Sequence, residues 1–282
     1  MPDPNRLLTT LRRAARLFRA TPGRIGFFTE LPQGAEIVVV GDLHGQVENF
    51  RRVLLLADLA RQPRRHLIVQ EIIHGPFEYP DDGGDKSHQL LDLVAALKCQ
   101  FPERVHYLLG NHELAQWRKQ RIGKGHVDQN AWFVQGVVTA YGSAAKDILA
   151  AYEDIFAAAD LALRSSNRIF FSHTLPPAKA MADFTLATLQ TDPIAAAEYA
   201  SGGAVHGLLW GRDVTEDNVQ AYLKKVDADW LISGHIPSEQ GYRVPNSRQI
   251  ILDALASPAC CMVIPTAAPT TQDELLSRIR TL

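Results

Sequence analysis

Six polar or ionisable residues sit at the ends of short apolar runs: Asp42 and His44 in GDLHG, Asn111 and His112 in GNHE, His173 in SHTLPP, and His235 in SGHIP. Carboxylate, amide oxygen and imidazole make a mixed oxygen and nitrogen donor set suited to Mn, Fe or Zn, without the thiolates of a structural zinc. A single buried histidine is most often a hydrogen-bonded structural residue. The whole set, recurring where apolar runs end, reads as a metal centre.

The stretches that must hold these residues alternate. EIVVV leads into Gly41-Asp42, HLIV into Gln70-Glu71, VHYLL into Gly110-Asn111-His112-Glu113, RIFF into Ser172-His173, DWLI into Ser233-Gly234-His235, and QIIL into Asp253. Runs of this kind suit strands buried on both faces. Helix-like stretches lie between them at 46–60, 87–99 and, rich in alanine, 143–164. Strands alternating with helices specify an α/β layered fold. Ligand sites in such folds gather beyond the carboxyl ends of the strands, so the six run ends are expected to converge.

Residues 5–20 place Leu7, Leu8, Leu11, Leu17 and Phe18 near one helical face with arginines on the other, which predicts a docked amphipathic helix. Residues 1–30 are expected to form this helix and a linker, 31–270 the main domain with a helical region at 114–165, and 271–282 a C-terminal helix or tail. The Gly-, Pro- and Asp-rich segment 75–86 is expected to be a long loop.

The 282 residues are 46% hydrophobic and 21% charged, enough for a sizeable core and outside the range of wholesale disorder. Lys and Arg number 29 against 31 Asp and Glu, too balanced for the basic footprint of a nucleic-acid binder. Three cysteines, Cys99 and the adjacent Cys260 and Cys261, make no even disulfide framework and point to a reducing compartment, hence the cytoplasm. No apolar run reaches the roughly 18 residues of a membrane span, and no targeting segment is expected at the N-terminus.

The motifs resemble those of the calcineurin-like metallophosphoesterases, closest to the branch of serine/threonine phosphoprotein phosphatases and symmetrical dinucleoside-tetraphosphatases. GDLHG at 41–45, GNHE at 110–113 and GHIPSEQGYRV at 234–244 carry the likeness, with SHTLPP at 172–177 as a looser fourth. The resemblance implies a two-sheet β-sandwich flanked by helices, with the site at the strand ends. It implies two divalent cations, the first on Asp42 and His44, the second on Asn111, His173 and His235, and it makes His112 the general acid at the leaving oxygen. Paired metals about 3.5–4 Å apart activate water and clamp two phosphate oxygens, and a placed proton donor adds about 10²–10⁴-fold. A residue beside a ligand equally suits an orienting role.

One signature departs from the family. A glycine–aspartate pair, two further residues and aspartate–arginine–glycine are replaced by Gln70-Glu71-Ile72-Ile73-His74-Gly75-Pro76. Aligned without a gap, Gln70 takes the metal-bridging position, Ile73 replaces the aspartate that partners the catalytic histidine, and His74 replaces a phosphate-binding arginine. A neutral amide bridges two cations poorly. Slipping by one puts Glu71 there instead, against the alternation of a regular strand. Asp81, Asp82, Asp85 and His88 in the following insertion are read as a solvated acidic loop with His88 at a helix start, or as replacements for the lost residues. Arg212 and Arg243 are candidates to supply phosphate-binding charge, as is His74 when protonated.

The expected activity is hydrolysis of a phosphomonoester, including those of phosphoserine or phosphothreonine proteins. The alternatives are a dinucleoside polyphosphate hydrolase and a phosphatase-like module that binds metal or a phosphorylated ligand without turnover. Two bound ions would favour hydrolysis; one or none would favour the module. The partner is a phosphorylated protein or small molecule, neither nucleic acid nor membrane.

Overall fold

In the computed structural model, described for residues 3–124 and 127–282, all six apolar runs are strands. Three of them, Glu36–Asp42, Arg65–Gln70 and Val105–Leu108, lie parallel in a five-stranded sheet. That sheet is completed by Cys260–Pro265, antiparallel to Glu36–Asp42, and by Ile279–Thr281 at its edge. The other three, Ile169–Ser172, Trp230–Ser233 and Gln249–Leu252, lie parallel in a seven-stranded sheet with Arg24–Ile25, Phe28–Glu30, Ala162–Arg164 and Tyr242–Asn246.

Side-chain alternation explains why these runs carry no polar face. Ile37, Val39 and Ile68 from one sheet meet Ile169, Phe171, Ile232 and Ile250 from the other in a core between the sheets. Their neighbours Val38, Val40, Leu67 and Val69 face the opposite way, into a larger core beneath the helices. Each strand therefore buries both faces, and a fully buried large apolar side chain contributes about 1.5–3 kcal/mol. The result is the expected two-sheet sandwich flanked by helices.

The flanking segments are built into the sheets. Helix Pro4–Arg19, capped by the Asp3 carboxylate accepting from the Arg6 N–H at 2.9 Å, packs Leu7, Leu11 and Phe18 against helices His88–Gln100 and Ala145–Phe156. Residues 24–30 are not a linker, because they form the first two strands of the large sheet. The C-terminal segment contains a helix, Gln272–Leu276, and then adds the edge strand Ile279–Thr281. The alanine-rich stretch is helical only to Phe156. Ala162–Arg164 are extended because Phe28–Glu30 and Ile169–Ser172 pair with them on either side. Tertiary pairing there overrides alanine's helix preference.

At one end of the sandwich a parallel bridge between Asp42 and Asp253 joins the two sheets. The carboxyl ends of the parallel strands therefore open on one place.

Candidate metal centre and active site

Four of the residues expected at the site hold backbone conformations that side chains other than glycine rarely adopt: φ is +41° at His44, +38° at Glu71, +60° at His74 and +69° at His235. Strained backbone persists where the surrounding structure imposes it, and it clusters at functional sites. At Glu71 it settles the alternation problem, since the turn after Gln70 lets consecutive side chains both enter the site. The turn is held from behind by Glu113, whose Oε1 accepts from the backbone N–H groups of Ile72 at 2.7 Å and Ile73 at 3.1 Å. Its Oε2 accepts from the Gly110 N–H at 3.2 Å, starting the helix Asn111–Arg118.

His173, fully buried, lies at the centre. Its Nε2 is 3.1 Å from Glu71 Oε2 and 3.0 Å from Asn111 Oδ1. Its Nδ1 is 3.3 Å from Gln70 Oε1 and 3.8 Å from Asp42 Oδ1. Glu71 Oε2 also lies 3.7 Å from His44 Nε2, and its Oε1 accepts from the His112 N–H at 3.0 Å. Asp42 Oδ2 accepts from the His235 N–H at 2.7 Å. Gly234 makes this approach possible: a Cβ there would fall 2.1 Å from Asp42 Oδ1.

Electron-pair donors outnumber protons in this cluster. Asp42 Oδ1 and His235 Nε2 are buried without any hydrogen-bond partner, and two oxygens crowd one ring nitrogen of His173. Burial, then the charge of Glu71, pushes the Asp42 carboxyl well above its ordinary range. Burial also opposes ionisation of Glu71, but His173, His112 and His44 outweigh it and hold that carboxyl well below its ordinary value. Burial lowers His235 to about 3. One carboxyl pushed toward its protonated form beside another pushed toward its ionised form, with imidazole nitrogens crowded around both, is an arrangement in which cations can take the place of protons. Ligand atoms of His44, Glu71 and His112 form one group within metal-binding reach, and those of Glu71, His173 and His235 form a second. Glu71 belongs to both, so the residues fit a pair of divalent cations.

The family model for calcineurin-like phosphoesterases matches residues 35–239, and so spans every residue of the cluster just described. The chain belongs to the calcineurin-like phosphoesterase family. It is 25% identical over 77% of its length to a probable serine/threonine-protein phosphatase of Encephalitozoon cuniculi, and 21% identical over 83% to serine/threonine-protein phosphatase 5 of Solanum lycopersicum. It spans 46% and 40% of those two proteins. Its fold is similar to that of a solved protein serine/threonine phosphatase from Saccharomyces cerevisiae (TM-score 0.66, 17% identity, 93% of this chain and 82% of that one). It is also similar to a cold-active protein-tyrosine phosphatase of Shewanella (TM-score 0.59, 13% identity, 86% and 78%).

In this calcineurin-like phosphoesterase, Asp42, His44, Asn111, His112, His173 and His235 all come together as expected. Of the two alternatives in the altered signature, Glu71 sits between the two ligand groups. Gln70 stays beside His173, with its amide N–H donating to the Val40 carbonyl at 3.1 Å.

The phosphate-binding expectations need correction. His74 lines the cavity, but its ring is committed elsewhere: Nδ1 lies 3.0 Å from His112 Nδ1 and Nε2 3.1 Å from Gln116 Oε1. Burial lowers it to about 4. A neutral ring with both nitrogens engaged is not free to grip a phosphate, and His74 is instead in contact with His112. Arg243 lies exposed on the strand Tyr242–Asn246 and lines neither cavity over the ligand cluster. Arg212 lines both the small cavity of about 120 Å³ over the ligand cluster and the larger one of about 580 Å³ beside it.

Only part of the insertion turns inward. Asp81 and Asp82 are exposed, and His88 bonds to the Tyr79 hydroxyl at 3.0 Å. Asp85 is buried, accepting from Gly75 N at 3.2 Å and from Ser87 Oγ at 2.7 Å, while Ser87 Oγ accepts from His74 N at 3.0 Å. Sequence reasoning missed this buttress, and it missed Glu113 and Gln116. It also passed over Asp253, which lines the small cavity. Its position at the end of an apolar run was the available signal.

Proposed function

We propose that the chain hydrolyses phosphomonoesters. The observation that carries this reading is the position of Glu71, an anion shared by both groups of candidate ligands and so able to replace the lost bridging aspartate. Asp42, His44 and Glu71 would hold one divalent cation, and Glu71, Asn111, His173 and His235 the other. When bound, such ions supply Lewis acidity toward phosphate oxygens and lower the pKa of water.

The chain's own residues would do the rest. Arg212, at the junction of the two cavities, would receive phosphate oxygens through its guanidinium fork. With Gln116 Oε1 accepting from His74 Nε2–H, a neutral His74 accepts at Nδ1 from His112 Nδ1–H. His112 Nε2 is then left free of that contact, and it can pass a proton to the leaving oxygen only when the ring is protonated at both nitrogens. Glu113 and the Asp85–Ser87 pair hold Glu71 and His74 in their strained conformations while this occurs.

The names of the curated relatives support a phosphoprotein substrate. Arg212 is the single Lys or Arg side chain lining the large cavity among the described residues, where Glu78 and Asp85 also stand. That charge balance suits one phosphoryl group better than a polyphosphate chain. The reducing environment inferred from cysteine usage supports a cytoplasmic setting, and no described helix is long and apolar enough to cross a membrane.

The test is turnover of 4-nitrophenyl phosphate, its bis-ester and diadenosine tetraphosphate by Mn²⁺-loaded protein. Hydrolysis of the monoester at the highest kcat/KM supports the proposal. Preference for the tetraphosphate would favour the polyphosphate alternative, and no turnover of any would favour the binding module.

A further inference from the structure

The larger cavity has a feature that phosphate chemistry leaves unused. It adjoins the ligand cluster, sharing His44, Asn111, His112, Arg212 and Leu255 with the small cavity there, and two tryptophans that do not line the small cavity, Trp132 and Trp210, line its wall. They come from sequence positions with no local relation, one on helix Gln129–Tyr141 and the other ending helix Ala204–Trp210.

The Trp132 indole is tied down by a hydrogen bond, whereas Trp210 is positioned by stacking, with its Nε1 buried without a hydrogen-bond partner. Trp132 Nε1 donates to Glu78 Oε1 at 3.0 Å, and its backbone carbonyl accepts from the Asp85 N–H at 3.1 Å, tying it to the 75–88 insertion. Trp210 stacks on His206 with ring centroids 5.8 Å apart and planes 16° from parallel. Ile122, Val127 and Leu255 add apolar wall to the same cavity, and Val127 is about half exposed. Large, half-buried aromatic side chains fixed around a chamber are the usual lining of a site for a flat apolar ligand. An alkyl phosphate on a serine or threonine carries too little apolar surface to use such walls.

We propose that this chamber binds the aromatic leaving group of an aryl phosphomonoester, the chemistry presented by a phosphorylated tyrosine side chain. This rests on the phosphomonoesterase reading above. In the reaction the oxygen of water bonds to phosphorus, and the bond from phosphorus to the aryl oxygen breaks with its electron pair passing to that oxygen. The oxygen takes up a proton, so that inorganic phosphate and a phenol leave. Trp132 and Trp210 contact the ring, while Arg212 and the ligand cluster hold the phosphoryl group.

The test compares one short peptide carrying phosphotyrosine with the same peptide carrying phosphoserine, on Mn²⁺-loaded protein. The ratio of kcat/KM values is expected to favour phosphotyrosine by about tenfold or more. Trp132→Ala and Trp210→Ala should each shrink that ratio by about fivefold, and Trp132→Phe should restore most of it. A ratio near one, or a ratio unmoved by both alanine variants, overturns the proposal while leaving the phosphomonoesterase reading intact. If neither peptide nor 4-nitrophenyl phosphate is hydrolysed, that reading fails, and quenching of tryptophan fluorescence by the two peptides decides the proposal. Tighter binding of the phosphotyrosine peptide, weakened in Trp132→Ala, supports the aromatic chamber; equal binding overturns it.

Discussion

Glu71 Oε2 lies 3.1 Å from His173 Nε2, a nitrogen that Asn111 Oδ1 also approaches to 3.0 Å. One ring nitrogen carries at most one proton and cannot satisfy both oxygens, whereas a cation can take electron pairs from all three. Divalent metal should therefore stabilise the fold by mass action, about 2.7 kcal/mol at a free concentration 100 times Kd. Urea unfolding with Mn²⁺ and with chelator measures it. The midpoint is expected to rise with Mn²⁺ in the parent protein and to stay put in His173→Ala; equal midpoints in the parent would contradict the metal assignment.

Gly234→Ala tests the close approach that brings Asp42 to His235. The added Cβ would fall 2.1 Å from Asp42 Oδ1, so the carboxylate or the backbone must move. Metal affinity is expected to fall about tenfold or more, in the range typical of lost supporting contacts. Isothermal titration with Mn²⁺ reads it, and an unchanged affinity would show that Asp42 is not held by this contact.

His112 and His74 are expected to act as a unit. His112→Asn should lower kcat by about 10² or more while metal content stays the same; loss of a metal would make His112 a ligand instead of a proton donor. His74→Ala should lower kcat by about tenfold on its own and hardly at all in the His112→Asn background, because coupled groups are not additive. Additive losses would separate the two roles.

The strand ends were legible because strands buried on both faces read as unbroken apolar runs, and Asp42, Asn111, His173 and His235 could be placed from those runs alone. Sequence favours Glu71 over Gln70 only slightly, because the deciding quantity is the positive φ at Glu71, which depends on Glu113 some forty residues downstream. His74 was read as an arginine substitute because its partners, His112 and Gln116, lie on another element. Arg243 follows a family-like motif, yet its strand at the sheet edge faces solvent. Short pieces such as Phe28–Glu30 and Ile279–Thr281 are strands only through their neighbours, and three residues offer no period to detect.

A pH effect on stability should come from the strand pair away from the site. His66 Nδ1 lies 3.0 Å from His106 Nε2, and burial, with Arg104 and Lys98 nearby, lowers His66 to about 4. The unfolded chain takes up this proton near 6.5 and the folded chain only near 4, so the unfolded state binds more protons in between. Stability is thus fully present above about pH 6.5 and lost as pH falls toward 4, by up to roughly 3 kcal/mol from this group. Urea midpoints at pH 7.5 and 5 should differ less in His66→Asn than in the parent, and an equal difference would remove His66 from the account.

The most direct test of the account is elemental analysis of metal per chain in Mn²⁺-loaded protein, for the parent and for Glu71→Gln. A carboxylate shared by two ligand groups predicts two ions in the parent and fewer in the variant, with 4-nitrophenyl phosphate hydrolysis falling alongside. Two ions in both proteins would show that Glu71 is no bridge. One ion or none in the parent would contradict the two-cation site itself.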